Sequence, residues 1–116
     1  MNVTQENLNY LQIVSKMYSE LLNTINDLIS LSIYDNLKLN DLYFYSNSRI
    51  SLTLINDIND DYLPNVLNVK IKYDSYDKTF IMYGDNIDIL EFNNMAEMLK
   101  TFIELCHEKL ELSQTI

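Results

Sequence analysis

The chain has 116 residues, 17 of them acidic and 8 basic, for a formal charge of −9 and an isoelectric point near 4.3. That length fits one domain spanning residues 1–116, and a hydrophobic share of 47% excludes a disordered polymer. A single cysteine excludes an internal disulfide and a cysteine zinc cage, while one glycine and one proline exclude a glycine-rich phosphate loop and a flexible linker.

No apolar run is long enough to cross a bilayer, and the polar start Met1–Glu6 lacks the basic opening of a secretory signal. A cytoplasmic location is therefore expected. A field of this sign repels nucleic acid and anionic membranes and attracts basic protein surfaces.

Residues 4–33 read as one long amphipathic helix, or two in line. Leu11, Val14, Tyr18, Leu21, Ile25 and Leu28 form a seam at alternating three- and four-residue steps, widened by Leu8, Met17, Leu22 and Ile29. Thr4 is the expected N-cap, with Glu6 in the first turn and Val3 and Leu8 spaced as a hydrophobic staple. Unbroken, such a helix is about 45 Å long, whereas a compact domain of this size has a radius of gyration of about 13–14 Å. The helix must overhang, bend near Asn23 to Asp27, or pair with a second copy along Leu11–Leu28.

With glycine and proline so scarce, Asn and Asp must make the turns. Residues 34–40 break the helical period through Asp35, Asn36 and Asn40. A strand is expected over 41–46, with Leu42 and Phe44 on one face and Tyr43 and Tyr45 on the other. After a turn at 46–49, residues 50–55 alternate, Ile50, Leu52 and Leu54 inward and Ser51 and Thr53 outward, which makes a hairpin. Residues 56–65 form an acidic loop with Asp57, Asp60 and Asp61, and Pro64 ends regular pairing. A strand over 66–73 places Leu67, Val69, Ile71 and Tyr73 inward and Asn68, Lys70 and Lys72 outward. A loop at 74–77, a return strand at 78–83, a turn at 84–86 and a short strand at 87–91 complete the sheet.

Asn93 or Asn94 caps the last helix; from Asn94, Glu97 lies at capping-box spacing. Met95, Leu99, Phe102, Ile103, Cys106 and Leu110 form its apolar stripe. Glu97, Glu104, Glu108 and Glu111 share the outer face, and Glu104 and Glu108 repel one another by a few tenths of a kcal/mol. The order predicts an α+β two-layer sandwich: an antiparallel sheet of four to five strands, flanked by a long N-terminal and a C-terminal helix on one side. The other sheet face would carry Tyr43, Tyr45, Ser51, Thr53, Lys70 and Lys72. The two tyrosines there fit strand propensity first and a contact surface second.

Little in the chain suggests catalysis. The one histidine, His107, follows Cys106, and neighbours on a helix point about 100° apart. Cys106 falls on the apolar stripe, as a structural thiol does. Asp57, Asn59 and Asp61 match the start of a calcium loop, but Tyr62 and Asn68 stand where glycine and glutamate are needed. The pairs Asp74/Asp77 and Asp85/Asp88 sit at hairpin ends, where Asp is expected anyway. No cofactor and no metal are expected. Arg49 is the only arginine, and Lys70, Lys72 and Lys78 near one hairpin lie in a negative field, so direct nucleic-acid binding is not expected.

In size, acidity and want of motifs, with an acidic stretch at 56–61 and the stripe Glu97–Glu111, the chain resembles small phage-encoded anti-defence inhibitors, such as DNA-mimicking anti-CRISPR proteins. The resemblance is one of type and carries over no family residues. It implies a non-catalytic inhibitor, in the host cytoplasm, that occupies the basic surface of a nucleic-acid-binding effector. The partner-binding candidates are Asp57, Asp60, Asp61, Asp74, Asp77, Glu97, Glu104, Glu108 and Glu111. The alternative is a homodimeric assembly protein joined along Leu11, Val14, Tyr18, Leu21, Ile25 and Leu28, with acidity serving solubility alone.

Overall fold

A computed structural model describes residues 5–31, 36–45, 49–57 and 64–112, with only the backbone of Glu6. The expected N-cap Thr4, the staple residue Val3, the turn at 46–48, and Asn59, Asp60, Asp61 and Tyr62 lie outside the described residues.

Helix α1, Gln5–Leu31, is a single helix of 27 residues. It passes through Asn23 to Asp27 without interruption, so it is not two helices in line. At 1.5 Å per residue it is about 40 Å long. The molecule extends 56 × 26 × 25 Å with a radius of gyration of 15.4 Å, above the roughly 13 Å of a compact domain of this length. The long helix is thus accommodated by elongation.

The sheet is an antiparallel meander in the order β1-β2-β3-β4-β5, comprising β1 Leu37–Tyr45, β2 Arg49–Asn56, β3 Asn65–Asp74, β4 Thr79–Gly84 and β5 Ile87–Phe92. Strand β1 begins four residues before the expected start, in what reads as a turn. The reason is a bulge at Asn40, where the register steps from Leu39↔Leu54 to Asp41↔Thr53. An extra residue in one strand inverts the inside-outside parity beyond it. Leu37 and Leu39 therefore face the core before the bulge, and Leu42 and Phe44 face it afterwards, opposite Leu52 and Ile50.

Two turns work without glycine. Asp74 Oδ1 accepts from the Tyr76 and Asp77 amides at 2.9 and 3.4 Å, and Lys78 closes the turn with a φ of 57°. Between β4 and β5, Asn86 takes the left-handed position with a φ of 59°, as Asn tolerates.

Helix α2, Met95–Leu110, starts at Asn94, whose side chain accepts from the Glu97 amide at 2.9 Å. This is the predicted cap. Met98, Phe102, Cys106 and Leu110, four residues apart, are its buried line; Met95, Leu99 and Ile103, expected in the stripe, are only half-buried beside it. Glu111 ends the helix in a left-handed conformation, and Leu112 turns back into the core.

Both helices pack on one face of the sheet, giving an α+β two-layer architecture. Helix α1 packs against β1 and, through Tyr10 on Tyr73, against β3; α2 packs against β2 to β5, and the helices touch each other. The core joins Val14, Met17, Leu21 and Ile25 of α1 and the α2 line to the inward residues of the strands, including Leu52, Leu54, Val69, Ile71 and Met82. No helix among the described residues is long and apolar enough to cross a membrane.

Candidate functional site

The acidic side is built on α2. At 100° per residue, Glu97, Glu104 and Glu108 fall within about 40° of arc, opposite the Met98–Leu110 line, and reach about 16 Å along the axis. All three are exposed, as is Glu111. Glu111 Oε2 accepts from Asn65 Nδ2 at 3.4 Å. Among the described residues the one ion pair is Lys109 with its neighbour Glu108, at 4.0 Å.

The remaining acidic candidates are strung along the molecule. Asp74 and Asp77 sit at the β3–β4 turn, where Asp74 is engaged by turn amides. Helix α2 begins at this end, because Phe92, two residues before its cap, pairs with Phe80 and Phe80 with Tyr73. Asp57 lies at the other end, half-buried and joined to Asn36, whose Nδ2 donates to the Asp57 carbonyl at 2.8 Å. Helix α2 ends there too, since Asn56 Nδ2 donates to the Leu110 carbonyl at 2.8 Å. Edge strand β5, packed against α2, adds exposed Asp88, while its exposed Glu91 lies on the opposite face of the sheet, in register with Ile81 and Lys72.

The expected dimer seam divides. Val14, Leu21, Ile25 and Leu28 are buried in the core of their own chain, at 1–9% exposure, so they are not a surface for a second copy. Leu11 remains 58% exposed, and Tyr18 packs edge-on against Phe44 with ring centroids 5.4 Å apart. The helical period alone had placed Tyr18 centrally; Met17, fully buried, takes that place.

The second charged surface is the sheet face away from the helices. Register sets Tyr45, Arg49, Lys72, Ile81 and Glu91 in one row across five strands, with Tyr43, Ser51, Lys70 and Tyr83 in the next. Arg49 lies over the Tyr45 ring, its Cζ 4.6 Å from the centroid, and its guanidinium donates to Tyr83 Oη at 3.4 Å. Its Nε is buried without a hydrogen-bond partner. In the sequence Arg49 reads as a turn residue and Lys78 as the third cation. The β2–β3 register instead joins Arg49 to Lys70 and Lys72, while Lys78 lies in the β3–β4 turn.

Two clefts stand out among the described residues. One of about 560 Å³ lies between the start of α1 and the β3–β4 hairpin, lined by Asn7, Asn9, Tyr10, Ile13, Tyr73, Ser75 and Lys78. The other, about 420 Å³, is an apolar groove of Leu11, Val14, Ser15, Tyr18 and Phe44. Neither includes Cys106 or His107: Cys106 is buried in the core and His107 is exposed on α2. Among the described residues no three His, Cys, Asp or Glu side chains converge to hold a metal ion.

Compared with protein-family models, with curated proteins and with solved structures, the chain matches none. Its class rests on its own fold and surfaces: an elongated α+β protein with an acidic stripe on α2 and the cations Arg49, Lys70 and Lys72 adjacent on the open sheet face.

Proposed function

We propose that the protein is a non-catalytic binding module that acts through its carboxylates, an inhibitor occupying the basic nucleic-acid-binding surface of a partner protein. The supporting observation is the α2 stripe. Glu97, Glu104 and Glu108 are exposed on one arc, and among the described residues the one ion pair to any of them is that of Lys109 with Glu108, at 4.0 Å; Lys100, one turn from Glu97 and Glu104, is paired with neither. Glu104 and Glu108 repel one another one turn apart, a small cost that a solvated face has no need to carry. Carboxylates fixed on a packed helix can take the place of phosphates in a Lys/Arg groove and steer association at long range. A nucleic-acid-binding effector of a host defence system is the kind of partner this reading names, met in the cytoplasm of an infected cell if the chain is phage-encoded.

The test is capture of the partner from the native host, followed by titration of the complex. Wild type should bind with an affinity that falls steeply as salt rises. Glu104→Gln with Glu108→Gln should bind at least tenfold more weakly while melting no lower than wild type, because one like-charge pair is removed. Binding unchanged by salt and by the double variant would refute the reading.

A second reading, a homodimeric assembly protein, is favoured by one feature. Leu8, Leu11 and Ile29 are exposed on α1, and Phe44 of β1, 51% exposed, lines a groove with Leu11. Sedimentation over a range of concentrations distinguishes the two.

A further inference from the structure

Arg49, Lys70 and Lys72 are adjacent on the open sheet face. Arg49 stands directly opposite Lys72, and like charges so placed destabilise a sheet. Lys70 is two residues from Lys72 on the same strand, about 6.6 Å away along it. Two carboxylates share this face, Asp74 two residues beyond Lys72 on β3 and Glu91 at the β5 edge of the Arg49–Lys72 row. Among the described residues none lies within ion-pair distance of these three. Three tyrosines surround them: Tyr43 (56% exposed), Tyr45 (41% exposed) and half-buried Tyr83. No described element covers this face.

We propose that the open sheet face binds single-stranded nucleic acid, with Arg49, Lys70 and Lys72 on phosphates and Tyr43 and Tyr45 as stacking platforms for bases. The cations call for an anion. The aromatic rings select its kind, since every base has a π-face to stack and a carboxylate has none. A flat face with no projecting helix suits unstacked bases better than a duplex groove. A second copy does not fit. Two-fold pairing of this face would bring six cations together, which excludes it as the surface of a symmetric dimer. The α2 carboxylates oppose approach only weakly, because they lie beyond a helix diameter of about 10–12 Å, past the roughly 8 Å Debye length of physiological salt; Asp74 and Glu91, on the sheet face itself, bound the cationic patch. The inference uses the sheet face alone and holds whether or not the acidic stripe is a mimic.

The experiment is fluorescence anisotropy of a short labelled oligothymidylate titrated with the full chain, at low salt and with salt raised stepwise. Saturable binding is expected, with a slope of log K against log salt of about −2 for three phosphate contacts. Lys70→Gln with Lys72→Gln should weaken binding at least tenfold while melting no lower than wild type, since one like-charge pair is removed, and Tyr43→Ala should weaken it about fivefold or more with the chain still melting cooperatively. Glu104→Lys with Glu108→Lys should bind the oligonucleotide as wild type or tighter, which separates this site from the acidic one. No anisotropy change at low salt would overturn the proposal. So would binding indifferent to the sheet-face variants, or polyglutamate displacing the oligonucleotide at equal charge; the last result would make the occupant an acidic protein segment instead.

Discussion

Asn56, fully buried at the end of β2, donates through Nδ2 to the main-chain carbonyl of Leu110 at 2.8 Å, tying the sheet to the last turn of α2 across 54 residues of sequence. The last carbonyls of a helix have no partner within it, and a buried one left unpaired is costly. Asn65 Nδ2 approaches the same oxygen at 3.5 Å, a weaker contact. Replacing Asn56 by Ala should therefore destabilise the fold by about 1–3 kcal/mol. Asn56→Asp should be worse, because it sets a carboxylate against a carbonyl oxygen. Urea unfolding of the two variants checks both the size and the order.

Gly84, the only glycine, is needed for space and not for its backbone angle. It pairs with Val69 in the β3–β4 ladder. A Cβ there would collide with the Asn68 carbonyl oxygen and come within 3.1 Å of Val69 Cα, both main-chain atoms with little room to move. Gly84→Ala should cost about 1–3 kcal/mol as an overpacking change. Chemical denaturation should show a lower midpoint at unchanged slope.

Residues of the α1 seam should separate by what they touch. Ile25, 1% exposed in the core, should lose about 2–5 kcal/mol on change to Ala. Leu11, mostly exposed, should stay within about 0.5 kcal/mol. Equal losses at both positions in a concentration-dependent melt would instead place Leu11 in an interface between copies.

Burial pushes the Cys106 thiol from its ordinary 9.0 up to about 12. The protonated form is the neutral one, and the folded pKa lies above the unfolded one. The contribution to stability is therefore complete below pH 9.0 and is lost as pH rises from 9.0 towards about 12. Other groups titrate in that range, so the comparison is with Cys106→Ala: the midpoint gap between wild type and variant should narrow above pH 9.0. A disulfide-exchange reagent should label Cys106 only as fast as the chain opens.

Much of the architecture is legible in local pattern. Three- and four-residue spacing announces both helices, alternation announces β2, β3 and β4, and Asn94 with Glu97 announces the start of α2. These signals survive because each element presents a single face to a single core. Strand β1 hides part of itself because the bulge at Asn40 changes parity between Leu39 and Leu42, and a broken alternation reads as a turn.

The acidic stripe on α2 is equally a matter of sequence, since Glu97, Glu104 and Glu108 share a helix and helical geometry alone aligns them. What folding decided is everything that depends on neighbours distant in the chain. Which seam residues are hidden followed from where α1 settled on the sheet. The meeting of Arg49, Lys70 and Lys72 followed from the pairing of two strands. Side chains on separate strands become neighbours only through register, and register is set by burying Leu52, Leu54, Val69 and Ile71 together on the face opposite those cations.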